Sequence, residues 1–287
     1  MDAIDPSLQI RSVTLAVSDL ARSADFYERV LGLPLIAREQ HTAQLGPDPK
    51  RPALTLSQIA APTPLPPGAT GLYHVAWLHP SRAALAESVR RLAAGRWPLE
   101  GASDHGVSEA LYLSDPDGLG IEIYADRPRE RWGRPAGGHG VAMVTLPLDL
   151  DDLLAQFGDR PAPAVPAHTT VGHVHLKVAD VARTSAFYRG ALGFEEQATL
   201  PSAAFVSAGG YHHHVGLNSW QSEGATPAPE SAPGLRRVEL ELGDADALAA
   251  LERRLARAPG EPSFERRRDQ ELAVHDPDGE LLAFTHR

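Results

Sequence analysis

The chain repeats itself, and that limits its fold more than any local propensity does. Val17 to Leu33 reads VSDLARSADFYERVLGL and Val178 to Phe194 reads VADVARTSAFYRGALGF, an offset of 178 − 17 = 161 residues. Asp115-Pro116-Asp117-Gly118 recurs as Asp276-Pro277-Asp278-Gly279, and 276 − 115 is again 161. Two separate matches at one offset mark a duplicated half.

Each half divides again. Val13, Leu15 and Val17 alternate with Ser12, Thr14 and Ala16, the period of a half-buried strand. A helical stripe follows, with Ala21, Ala24, Tyr27 and Leu31 near one face and Gly32 at the C-cap. Shorter apolar stretches such as Ala53-Leu54-Thr55-Leu56 come next. At Leu72 the pattern restarts with Tyr73-His74-Val75-Ala76-Trp77-Leu78, a helix over Ser81 to Ala94, then Glu109 to Leu113 and Gly120 to Tyr124. The reading is an α+β chain of four βαβββ modules, at roughly 8–60, 70–126, 168–220 and 234–286. Residues 1–126 form the first repeat, 127–167 a linker and 168–287 the second repeat. Pro- and Gly-rich stretches, Arg127 to Gly140 and Glu223 to Gly234, read as connections, and Pro147 to Phe157 as a short helix between the halves. Phe26-Tyr27, Phe187-Tyr188 and the two Asp-Pro-Asp-Gly turns read as scaffold, not as chemistry.

Composition narrows the function. The 27 basic and 37 acidic residues give a formal charge of −10, which disfavours nucleic acid or an anionic membrane as partner. There is no cysteine, so disulfides, thiolate nucleophiles and thiolate metal sites are excluded. Any metal must sit on histidine and carboxylate. The stretch Met1 to Pro6 has neither the basic nor the apolar region of a signal peptide, and no apolar run approaches the ~18 residues of a membrane span. The expectation is a soluble, cytoplasmic protein acting on a small neutral or weakly acidic molecule.

A strand, then Asp-Leu-x-x-Ser-x-x-Phe-Tyr-x-x-x-Leu-Gly, then Asp-Pro-Asp-Gly leading into a strand with Glu resembles the vicinal-oxygen-chelate superfamily, which holds glyoxalases, bleomycin-resistance proteins and extradiol dioxygenases. The resemblance covers nearly the whole chain. Gly101 to His105, Ser108 to Tyr112 and Gly209-Gly210-Tyr211-His212-His213-His214 are similar, more narrowly, to two-repeat bacterial catechol 2,3-dioxygenases. The resemblance implies modules paired into curved mixed sheets around a metal pocket, with ligands from first strands and a Glu on a last strand. The first-strand positions hold Ser12, His74, His173 and Arg237, and the last-strand positions hold Glu122 and Ala283. A set of two histidines and one carboxylate therefore assembles only from His74, Glu122 and His173, across the two halves. That set is the facial triad of non-haem Fe(II) oxygenases.

The resemblance also implies that His105 and Tyr112 hold the catecholate, and that a histidine of the 212–214 run is the general acid. On a strand, neighbouring side chains alternate. Either His213, or His212 together with His214, would then face the pocket, and the following small residue Gly216 points to His213. His175, two beyond His173 on the same strand face, would line the pocket or sit as a satisfied polar core residue. The implied activity is extradiol cleavage of a catechol by O2 at mononuclear Fe(II), giving a muconic semialdehyde, with Mn(II) as the other metal to consider. Two other classes stay open: a zinc-, nickel- or manganese-dependent glyoxalase or lyase with a fourth protein ligand, and a metal-free protein that sequesters a drug or small aromatic. Homo-oligomerisation also stays open.

Overall fold

The computed structural model describes residues 3–135, 137–158, 161–260, 262–267 and 270–287. It is mixed α+β and mostly strand. The four modules start with strands Gln9–Val17, Gly71–His79, Thr170–Lys177 and Gly234–Leu242, and end with Leu54–Gln58, Gly120–Asp126, Val215–Asn218 and Leu281–His286. In each module the first and last strands pair in parallel across one helix. All four helices begin the same way. Asp19, Ser81, Asp180 and Asp244 are extended residues whose side chains accept the N–H three positions on, satisfying one of the helix's orphan donors.

The helices of modules one and three change winding part-way, from α to π, at Phe26–Leu31 and Tyr188–Leu192. The wider turn shifts the buried stripe. Leu20, Ala24, Phe26, Tyr27 and Leu31 are buried, whereas Ala21, expected on that face from a uniform α-helical period, is exposed. Gly32 and Gly193 close these helices at φ 86° and 89°, a left-handed conformation that glycine adopts without a Cβ clash.

Sheet pairing crosses the halves. The first strand of module one runs antiparallel to that of module four, with Val13 opposite Val238. The first strand of module two runs antiparallel to that of module three, with Val75 opposite Val174. Within a half, modules are joined by the repeated motifs instead. Asp115 accepts the N–H groups of Asp117 and Leu119 at 2.8 and 2.9 Å, and also the Tyr27 hydroxyl of module one at 3.1 Å. Asp276 does the same in the second half, with the N–H groups of Asp278 and Glu280 both at 2.9 Å and the Tyr188 hydroxyl at 3.2 Å. Burial pushes both carboxyls up to about 6.

Between the halves, Leu150–Leu154 forms the short helix and Leu146–Pro147 adds a two-residue strand beside Gly101–Asp104. Within 127–140, Arg129–Arg131 forms a single 3-10 turn, and Ala136 lies outside the described residues. No helix among the described residues is long and apolar enough to cross a membrane.

Candidate metal centre

Four residues line up across four strands where modules two and three meet. Tyr112 lies opposite Glu122, Glu122 opposite Ala76, and Ala76 opposite His173. Residues opposite one another project to the same face of a sheet, so this row shares one face. His74, two residues before Ala76, joins it by strand parity. Ala76 is fully buried and small, which leaves the space between Glu122 and His173 free for their own side chains.

His74 Nε2 lies 2.9 Å and His173 Nε2 3.1 Å from the same carboxylate oxygen of Glu122. One ligating atom from each of the three residues lies within 4.8 Å of the other two, and all three residues are buried. Burial pushes the Glu122 carboxyl up, but the adjoining His173 and His74 imidazoles outweigh it and hold the group well below the usual carboxylate range. Burial pulls His173 down to about 4, against the opposing pull of Glu122. A neutral buried imidazole keeps a lone pair for a Lewis acid. His74 Nε2 lacks a well-directed hydrogen bond despite its burial, and both imidazoles converge on one oxygen. An arrangement of this kind fits a cation shared among three donors, and the two-nitrogen, one-carboxylate chemistry suits a mononuclear metal.

The neighbouring groups form a polar wall. His105 Nδ1 lies 2.7 Å from the Val144 carbonyl, which can only accept, so Nδ1 carries the proton. His105 Nε2 is then the acceptor for the Tyr112 hydroxyl at 2.7 Å. Burial, with Glu122 adding to it, pushes the Tyr112 phenol well above its ordinary value. The Tyr112 ring centroid lies 5.9 Å from that of His74, which places the phenol beside the triad. His175 is buried with its ring 5.0 Å from His74, and Tyr73 and Trp220 continue the aromatic wall outward from it at 5.2 and 5.6 Å.

A model of the Glyoxalase/Bleomycin resistance protein/Dioxygenase superfamily matches residues 9–123 and again 170–284. The chain belongs to this superfamily. A catechol-2,3-dioxygenase of Bacillus subtilis (strain 168) is 43% identical over 238 residues, which span 82% of this chain and 83% of the relative. Among solved structures, one from Bacillus subtilis superposes with a TM-score of 0.65 at 16% identity, covering 99% of this chain and 86% of the other. Glyoxalase I from Zea mays superposes at 0.58 and 16% identity, covering 98% and 92%. The two superpositions place the chain in the superfamily's fold.

The structure corrects one expectation for this superfamily member. His212, His213 and His214 are not on a strand. The preceding strand ends at Ser207, and Gly209 and Gly210, at φ 60° and 64°, turn the chain before the next strand opens at Val215. Strand alternation therefore does not apply, and His212 and His213 do not point apart: their Nδ1 atoms are 2.8 Å from each other. The His213 ring lies tilted against His173 at a centroid distance of 4.0 Å, with His212 at 5.9 Å from His173. His214 is held differently, its Nδ1 accepting the Ala208 N–H at 3.1 Å. Burial, reinforced by the surrounding histidines, pulls the His213 imidazole well below the ordinary histidine range. Sequence reasoning also missed Asp126 and Val144. Asp126 follows Glu122 and Tyr124 at strand period, so parity could have flagged it; a backbone carbonyl in a linker leaves no residue signal.

Proposed function

We propose that this protein is an extradiol dioxygenase, opening a catechol ring beside its hydroxyls with O2 to give a muconic semialdehyde. The observation that carries the reading is the convergence of His74, Glu122 and His173 beside the hydrogen-bonded Tyr112–His105 pair. The named activity of the Bacillus relative supports it. The described residues bring three ligating side chains together, without the fourth protein ligand expected of a glyoxalase-type site. His74, Glu122 and His173 would hold iron(II), which when bound supplies open coordination positions and an electron path between a catechol and O2.

The protein's own part is binding and proton handling. The Tyr112 hydroxyl donates to His105 Nε2, so the lone pairs of its oxygen are turned to accept from a substrate hydroxyl. His105, tethered by the Val144 carbonyl, holds that phenol in place. Tyr73 and His175 flank the triad with ring faces suited to a planar substrate. His213, buried against His173, would carry a proton to or from the oxygens of the substrate. The test is anaerobic reconstitution with Fe(II), then addition of catechol and air. The expected result is O2 uptake matched by a yellow ring-fission product. Iron-loaded protein that binds catechol and consumes no O2 would refute the reading.

A further inference from the structure

His213 does not stand alone. Its Nδ1 is 2.8 Å from His212 Nδ1, and His212 Nε2 is 3.0 Å from a carboxylate oxygen of Asp126. The His212 ring is fully buried, tilted against Tyr211 at a centroid distance of 4.1 Å and meeting Trp132 edge-on at 5.4 Å. Asp126 ends the strand that carries Glu122 and Tyr124, on the same face, with its side chain 26% exposed. Three residues therefore form a chain from the molecular surface to the pocket.

The chain's polarity follows from what each atom can do. The carboxylate oxygen accepts, so His212 Nε2 carries a proton. A neutral His212 then offers a lone pair at Nδ1. The short contact between the two Nδ1 atoms needs one donor, and opposite a neutral His212 that donor is His213 Nδ1–H. His213 is left with its lone pair at Nε2. We infer that Asp126, acting through His212, is a positioning residue that holds His213 in the Nδ1–H tautomer. In this state His213 Nε2 presents a lone pair, so it accepts a proton from a substrate hydroxyl before it can return one. A tautomer set by the partner of the far nitrogen is a general property of histidine. The role in turnover rests on the proposed dioxygenase reading; the tautomer does not.

The test reads the tautomers directly, from two-bond nitrogen–hydrogen correlation spectra of protein labelled with ¹⁵N-histidine, before and after loading with zinc(II). Wild-type protein should show His213 as Nδ1–H and His212 as Nε2–H; His213 protonated at Nε2 overturns the proposal without any variant. In Asp126→Asn, an amide N–H can face the ring, so His213 should move toward the Nε2–H form. Turnover of the iron-loaded variant should fall about 10- to 100-fold, the usual effect of losing such an outer partner, with KM for catechol little changed. Asp126→Glu should recover much of the rate. Unchanged tautomers in Asp126→Asn would also overturn it. Expected tautomers in a protein that consumes no O2 with catechol would leave the positioning role standing and remove the dioxygenase reading.

Discussion

Asp115 gives a quantitative test of how the modules are held together. Its carboxyl is 4% exposed and bonded to Tyr27 across the module boundary, and burial lifts it from 3.8 to about 6. A carboxyl whose folded value is raised contributes stability that is fully present below its unfolded value and is lost as pH rises through the folded one. A shift of roughly two units corresponds to about 3 kcal/mol at about 1.4 kcal/mol per unit. Asp115→Asn keeps an oxygen for the Asp117 and Leu119 N–H groups and an amide to face the Tyr27 hydroxyl, while removing the titration. Relative to wild type, the variant should therefore gain about 3 kcal/mol between about pH 4 and about pH 7. Urea unfolding at several pH values measures this difference, in which the titrations common to both proteins cancel. Asp276→Asn, with the same contacts in the other half and a carboxyl also raised to about 6, should give a similar slope. A wild-type-to-variant difference that stays constant over that range would refute the burial argument.

Four further variants have definite expected outcomes. His173→Ala should abolish retention of one metal equivalent while leaving the fold intact, read by metal analysis and circular dichroism; full occupancy would show that the cross-half site is misassigned. His213→Asn should retain iron and slow turnover by about 10²–10⁴-fold. His212→Asn should be slow as well, since its ring bonds that of His213, and a wild-type rate there would separate the two residues. A Cβ at Gly172 would lie 1.8 Å from the Tyr124 hydroxyl, so Gly172→Ala should lower stability by about 1–3 kcal/mol in chemical denaturation. An unchanged midpoint would mean that Tyr124 moves freely, contrary to its burial and its 2.7 Å bond to Tyr211.

What could be read from sequence divides along physical lines. Repeats and caps are local or periodic, so the duplicated modules and the helix at Arg82–Ala94 follow from residue order. Tyr112 entered through the family resemblance, since parity alone leaves its register against Glu122 open. The winding change at Phe26 is a tertiary accommodation and leaves no period to find, so the buried stripe runs through Leu20 and not Ala21. The histidine run failed for a different reason. Composition and spacing suit a strand there, but Gly209 and Gly210 take left-handed conformations that end it. Two adjacent glycines before the run were the available warning. Val144 acts through its carbonyl, which every residue possesses, and only the folded path of the linker shows that it reaches His105.

The cross-half pairing also explains why, among the described residues, duplication has left one candidate centre and not two. In the other pair of modules the position facing Ser12 and Ala283 is Glu239, where the metal-centre pair has Ala76 facing His173 and Glu122. Ala76 leaves the centre of its face open. Glu239 fills its own face and takes the Ser12 hydroxyl at 3.1 Å. Arg237, in the place of His74, is held by Glu271 through two bonds of 3.0 and 2.7 Å. Arg11, Arg51 and Arg287 gather around the buried Glu241 on the same strand. A guanidinium brings a fixed positive charge and no lone pair, so Arg237 replaces a ligand with a competitor for the carboxylates. Restoring one histidine at position 237 would remove the two bonds to Glu271 and still leave no carboxylate at Ala283. The pairing of module two with module three is therefore what brings a complete donor set together, and neither half of the chain carries that set alone.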